Sequence, residues 1–435
     1  MPRFLRPLHA ALRPGRRRRI AALLLLGMIG PVMAADRVAA GVACDCAARA
    51  PRLGIEVLLE QRLDLMRGKR VGLVTNATGV DGRLRSNVDR FAAHPAFRLV
   101  ALFGPEHGVR GDLQAGDKVA SSRDPATGVP VHSLYGEHRE PTPAMLDGVD
   151  VLVFDIQDVG TRFYTYPYTL AGVMRAAKRA GIPVVVTDRP DPIGGMLVEG
   201  PVLEPSLASF VGLFPIPLRH GMTLGELATL FNAEFGIGAD LHVVAMQDWR
   251  RGDEPLRGPL PWVPPSPNMP TPDTSLVYPG MGLLEGTNVS EGRGTTRPFE
   301  TVGAPWVDAP ALAARLNAMA LPGVQFRPTW FTPTFSKHAG KACAGVQLHV
   351  NDRAAFRPVR TGIAVLKALH DQHPTDFAFL AGEPPFFDRL AGVPWLRDAI
   401  ARGDTVDAIE ARWTPALEQF RAMRQRHLLY PEVGR

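Results

Sequence analysis

"FRLVALFGPEHGVRG" spans residues 97–111. Its first half is a near-continuous apolar run, the pattern of a strand covered on both faces rather than wet on one. The run stops at Gly104-Pro105, and Glu106, His107 and Arg110 then follow between glycines. The same grammar recurs three times. "RVGLVTN" (70–76) ends in Asn76 and runs into "ATGVDG". "VDVLVFDIQ" (149–157) ends in Asp155 and Gln157, with Asp158 next. "IPVVVTDRP" (182–190) ends in Asp188 and Arg189.

Helical patterns separate some of these runs. "TLAGVMRAAKRAG" (169–181) puts Leu170, Val173, Met174 and Ala177 on one face and ends at Gly181, a C-terminal cap. "MTLGELATLFN" (222–232) carries Thr223 and Glu226 at capping-box spacing. Strand-helix-strand order predicts an α/β fold with an open, mostly parallel sheet. Such sheets bind ligands at the carboxyl ends of their strands. All four polar segments fall at that end.

The texture changes in "RRGDEPLRGPLPWVPPSPNMPTPDTS" (250–275), a Pro-rich and extended stretch. The boundary is expected near 255, giving a catalytic domain over 52–255 and a smaller domain over 256–435. "PSPNMP" (265–270) would hold Asn268 rigidly at a rim. "YPGMGLLEGTNVSEGRGTTRPFE" (278–300) is a second Gly-rich polar stretch, with Glu285, Asn288, Glu291 and Arg293. Beyond it, "AGVQLHV" (344–350) predicts a strand. Helices are expected near 361–371 and 415–428, the latter started by Thr414-Pro415. This second part is expected to be α+β.

The chain has 435 residues, 46% hydrophobic and 21% charged, and can bury a core without staples. Its net charge of +6 invites a nucleic-acid reading. The first 34 residues remove that reading. They hold seven arginines and no acid, so without them the charge is −1. A basic start, the apolar run "AALLLLGMIG" and small residues ending at Ala34 predict a secretory leader and an exported, periplasmic protein. The apolar run is too short for a stable membrane span. Cys44 follows "GVA", a lipid-attachment pattern weakened by Asp36 and Arg37. Cys44, Cys46 and Cys343 leave an odd cysteine, and none has zinc-site spacing.

Several chemistries find no motif. There is no H-E-x-x-H for a metal and no G-x-S-x-G for a serine nucleophile. "GMGLLEG" is one residue too long for a dinucleotide loop. No metal and no cofactor are expected. Four carboxylates at strand ends fit acid–base work better: Glu106, Asp155, Asp158 and Asp188. Crowded carboxylates raise one another's pKa, and one held protonated can donate to a leaving oxygen while a second acts on water or carbon. The loop "QDVGTRFYTYPYTL" (157–170) adds Arg162, Phe163, Tyr164, Tyr166 and Tyr168, three of the chain's six tyrosines. Aromatic faces suit sugar rings, and arginine suits a carboxylate. The plainer readings are a helix cap at Glu106, a strand-end cap at Asp155 and a turn at Asp188.

Seven ordered stretches resemble one family. They are "LVTNATGVD", "FGPEHGVRG", "DIQDVGTRFYTYPYTL", "TDRPDPIGG", "RHGMTLGELA", "PSPNMPTPDTSLVYPG" and "LLEGTNVSEGRGTTRPFE". Together they resemble the exo-β-N-acetylmuramidase family of bacterial cell-wall recycling. The resemblance implies a Rossmann-like domain, a smaller C-terminal domain and an active site in the cleft between them. It implies release of N-acetylmuramic acid from the non-reducing end of peptidoglycan fragments, with Glu106 catalytic. Asp155 is the expected partner, with Asp158 behind it, unless the substrate's 2-acetamido group assists. Asn76, His107, Gln157, Asp158, Arg162, Tyr164, Asp188, Arg189, Asn268, Glu285, Asn288 and Arg293 are the expected substrate contacts. Arg162, Arg189 and Arg293 are the candidates for the sugar's lactyl carboxylate. The alternatives are a sugar-binding protein without catalysis and a metal-dependent deacetylase or amidase.

Overall fold

The structure is a computed structural model that describes residues 50–110 and 122–432. The stretch at 1–34 read as a secretory leader, Cys44 and Cys46 lie outside the described residues, and so do the export and lipid-attachment expectations. Helix α1 (Gly54–Gln61) precedes strand β1 (Arg70–Thr75). Helix α2 (Asn87–Ala92), β2 (Arg98–Gly104), β3 (Ser122–Arg123), β4 (Pro130–Ser133) and β5 (Val151–Asp155) follow. Next come α3 (Tyr166–Ala180), β6 (Val184–Thr187), the paired β7 (Glu199–Val202) and β8 (Pro217–Arg219), α4 (Leu224–Glu234) and β9 (Leu241–Val244). One seven-stranded sheet takes the order β3-β4-β2-β1-β5-β6-β9. Every neighbour pair in it is parallel except β3–β4.

The continuous apolar runs are explained by burial on both faces. Val71, Leu73, Val151, Val153 and Val185 point into a core with Ile55, Leu58 and Phe91 from α1 and α2. Leu152, Phe154, Val184 and Val186 point the other way, onto Leu170 and Val173 of α3 and Leu227 and Phe231 of α4. The read caps form. Gly181 ends α3 at φ 67°, and Thr223 and Glu226 close a capping box on α4. The strand order reverses between β1 and β5, which makes their carboxyl ends the topological switch point.

The remaining chain is a smaller region. Helix α5 (Pro272–Met281) leads to β10 (Thr301–Ala304), α6 (Ala309–Ala318), β11 (Val324–Phe331), β12 (Cys343–Val350) and α7 (Pro358–Gln372). Three further helices finish it: α8 (Phe386–Ala391), α9 (Trp395–Arg402) and α10 (Val406–Gln425). The strands form an antiparallel sheet, β10-β12-β11. Helices α5 and α7 cross where both carry glycine. A Cβ on Gly280 would stand 1.9 Å from the Pro358 carbonyl oxygen, and one on Gly362 would stand 2.4 Å from that of Gly280. Only glycine permits that approach.

Tyr278–Met281 end α5, whose start is capped where Thr271 Oγ1 accepts the Thr274 N–H at 3.1 Å and Pro272 takes the first turn. One reading is corrected. Thr414-Pro415 does not start a helix. Helix α10 begins eight residues earlier at Val406, where Thr405 Oγ1 accepts the Ala408 N–H, and it runs through Pro415. Among the described residues no helix is long and apolar enough to cross a membrane.

Candidate active site

Strand β2 delivers Glu106. After Gly104 the chain turns sharply: the Gly108 N–H reaches the Pro105 carbonyl at 3.0 Å, and His107 and Gly108 sit at φ 74° and 75°. A histidine in that region is uncommon and marks a held conformation. The half-buried Glu106 carboxylate accepts from Thr165 Oγ1 at 2.9 Å, at the start of α3. Tyr135, just past β4, hydrogen-bonds it as well. Burial, with the Glu106 charge and that bond, pushes the Tyr135 hydroxyl up to about 12.

Glu106 lines a cavity of about 730 Å³. One wall carries His107, Tyr135, Phe163, Tyr164 and Thr165. The other carries Asn268, Tyr278, Glu285, Glu291, Arg293 and Lys337. Edge-on rings tie the walls together: Phe163–Tyr278 at 5.0 Å, Tyr164–Tyr278 at 6.0 Å and Tyr278–Phe299 at 4.7 Å. Burial holds the Tyr164 and Tyr278 hydroxyls well above their ordinary range, so they stay protonated. Asn268 is placed by a turn in which its N–H donates to Ser266 Oγ at 3.2 Å, and Tyr166 pins that turn through the Pro265 carbonyl at 2.5 Å. Asn268 Nδ2 is buried with no partner among the described residues, while the Tyr164 hydroxyl meets that of Tyr166. A buried donor left unpaired costs about 1–3 kcal/mol, so Asn268 Nδ2 is ready for a ligand's acceptor.

The far wall is a charge cluster. Arg293 stands 3.2 Å from Glu285 and 3.3 Å from Glu291, over the face of Phe299. Lys337 lies 2.9 Å from Glu291 and donates to the Leu284 and Val289 carbonyls. Burial, with Glu291 opposing Arg293, keeps the Glu285 carboxyl above its ordinary range.

Of the expected site residues, the cavity brings together Glu106, His107, Tyr164, Asn268, Glu285 and Arg293. It does not receive Asp155. That carboxylate is fully buried and saturated, accepting from Arg189 twice, Thr187 Oγ1 and Asn87 Nδ2 at 2.6–3.0 Å. Arg189 is thereby spent on Asp155. Asp188 accepts from Thr223, Tyr430 and the Arg189 and Gly225 N–H groups, and so anchors α4. Asp158 accepts from the Gly160 N–H at 3.0 Å, and burial lifts it to about 7. His220 stands 3.9 Å from it and is neutral, because burial and then Arg424 lower it to about 3. Asn76 holds Tyr166 and Thr78. Gln157 donates to the Asp158 and Pro190 carbonyls. Arg162 is wholly buried on the carbonyls of Pro201, Ile216 and Leu390. Asn288 ties down the chain at Asp376 and Ala378. Arg110 pairs with Asp124, away from the cavity. Each of these makes a loop or a helix start rather than a cavity wall.

Sequence reading missed Tyr135, Arg139, Thr165, Lys337 and Arg389. Tyr135 had a signal, since it lies just past a parallel strand, but β4 is only four residues long.

The fold agrees with known proteins. Two consecutive parts of the family described as exo-β-N-acetylmuramidase NamZ match this chain, the N-terminal part over residues 71–273 and the C-terminal part over 276–430. The chain belongs to the exo-β-N-acetylmuramidase family. It is 54% identical over 412 residues to the peptidoglycan β-N-acetylmuramidase NamZ of Bacillus subtilis, covering 94% of this chain and 99% of the relative. Two crystal structures of Bacteroides fragilis proteins titled DUF1343 family share the fold. One has a TM-score of 0.82 and 39% identity, over 88% of this chain and 99% of its own. The second has a TM-score of 0.72 and 32% identity, over 88% of this chain and 100% of its own. As a member of this family the chain is an enzyme, a glycoside hydrolase, and the reading as a sugar-binding protein without catalysis is set aside. The metal-dependent alternative has no three-residue ligand cluster among the described residues.

Proposed function

We propose that the cavity takes the terminal N-acetylmuramic acid of a peptidoglycan fragment and that Glu106 is its proton donor. The chain is an exo-β-N-acetylmuramidase by family, and the proposal adds the residues. The observation that carries it is Glu106 itself: a half-buried carboxylate at the mouth of the turn after β2, oriented by Thr165, in one cavity with the unpartnered Asn268 amide, the Tyr164 hydroxyl and an aromatic wall. Aromatic faces bind the apolar side of a pyranose, and Tyr164 and Asn268 offer hydrogen bonds to its oxygens. As the bond from the anomeric carbon to the leaving oxygen breaks, Glu106 gives that oxygen its proton. Water supplies the new hydroxyl of the released sugar and returns a proton to Glu106. The basic and apolar first 34 residues support export of the enzyme to the envelope, where its polymer lies.

The test is product analysis. Purified protein is given glycan fragments whose reducing ends are chemically reduced and whose non-reducing ends carry either muramic acid or glucosamine. Free N-acetylmuramic acid should appear from the first set alone. Cleavage within the chains, or release of N-acetylglucosamine, would overturn the reading.

A further inference from the structure

N-acetylmuramic acid differs from N-acetylglucosamine by one lactyl ether, whose carboxylate is charged at neutral pH. A cavity that selects it needs a cation not already neutralised. Four cations line the cavity: Arg139, Arg293, Lys337 and Arg389. Arg293 and Lys337 share Glu285 and Glu291, so that wall carries two positive and two negative charges. The other two have no carboxylate within ion-pair distance among the described residues. Arg139 lies with its guanidinium carbon 4.4 Å from the centre of the Phe210 ring. The guanidinium of Arg389, on α8, donates among the described residues to the Glu383 carbonyl, at 3.2 Å.

The Arg139 end of the cavity adjoins the proton donor. The Phe210 ring is 6.1 Å from that of Tyr135, and Tyr135 hydrogen-bonds Glu106. A guanidinium stacked on an aromatic face keeps its N–H edge free, and that edge matches the two oxygens of a carboxylate. The stack also holds the side chain in place, which lowers the entropy lost on binding.

Resting on the reading of the cavity as a muramic acid site, we propose that Arg139, with Arg389 as the second cation, binds the lactyl carboxylate and sets the preference for muramic over glucosamine ends. The buried arginines that the sequence pointed to, Arg162 and Arg189, are committed elsewhere, and Arg293 serves its own carboxylates.

The test compares two chromogenic substrates, an N-acetylmuraminide and the same glycoside with the lactyl carboxylate converted to its primary amide. The quantity read is the ratio of kcat/KM on acid to kcat/KM on amide, which does not depend on how much of a variant folds. The wild type should favour the acid by about 100-fold, since a site built for a charged group rejects its neutral analogue strongly. Arg139→Gln should lower the ratio about tenfold, mainly through KM, and Arg139→Gln with Arg389→Gln should bring it near one. A wild-type ratio near one, or a double variant that keeps the wild-type ratio, would overturn the assignment. A wild type that cleaves neither substrate would instead sink the reading of the cavity on which it rests.

Discussion

Asp155 and Glu106 stand at the carboxyl ends of two parallel strands of one mostly parallel sheet, and their surroundings differ in every respect that matters for chemistry. Asp155 ends β5 at the switch point, where open sheets ordinarily receive ligands. Here the protein fills that crevice itself. Arg189 from the end of β6, Asn87 from α2 and Thr187 occupy all of the Asp155 oxygens, and no solvent reaches them. Glu106 ends β2, one strand beyond β1. It is half-buried, turned outward by Gly104 and Gly108, and faced by the smaller region across the cavity. A carboxylate that moves protons must exchange partners during the reaction. Asp155 has none to give up without leaving a buried arginine uncompensated. The lesson is that position at a strand end selects candidates, while the partners available from distant chain segments decide between them.

That contrast can be broken by substitution. The largest effect on folding should come from Asp155→Ala, which strands Arg189. Removing one partner of a buried pair costs about 3–5 kcal/mol, so the denaturant midpoint should fall steeply, whereas Glu106→Gln should stay within about 0.5 kcal/mol of wild type. Equal losses would erase the distinction. Asp158 sharpens it, being buried like Asp155 but facing a neutral His220 instead of a cation. Burial raises its folded pKa from 3.8 to about 7. A raised folded pKa means that its contribution to stability is fully present below the unfolded value and is lost as pH climbs to about 7. Asp158→Asn should therefore gain on wild type between about pH 4 and pH 7, on the order of 3 kcal/mol, in thermal unfolding across that range. A flat difference would place the strain elsewhere. The smallest effect belongs to Thr165→Val, which removes one hydrogen bond from Glu106. A loss of about 1–1.5 kcal/mol, roughly tenfold in kcat, is expected with unchanged unfolding. If kcat stays at the wild-type value, Thr165 does not orient the carboxylate.

The same contrast shows what the sequence could tell. The inner strands β1, β2, β5 and β6 were legible because burial on both faces leaves unbroken apolar runs. Strands β4 and β9 were not. Each is four residues long, and only one residue of β9 is fully buried. Thr-Pro pairs are a helix-start signal twice over, true at Thr271-Pro272 and false at Thr414-Pro415. In the second case Thr405, nine residues earlier, already caps the helix, and Pro415 forfeits one backbone bond inside it. Glu106 was legible from its own neighbours, the Gly-Pro turn after an apolar run. Asp155 had the same local appearance. What silences it is Arg189, 34 residues later, and Asn87, 68 residues earlier, and no local pattern records that convergence.

The proton-donor role of Glu106 is tested most directly by changing the leaving group. Glu106→Gln should lose on the order of 1,000-fold in kcat on a muramic acid–glucosamine disaccharide, whose departing oxygen needs a proton. It should lose far less on a dinitrophenyl muraminide, whose phenolate leaves unaided. A variant crippled equally on both substrates, or on neither, would contradict the account.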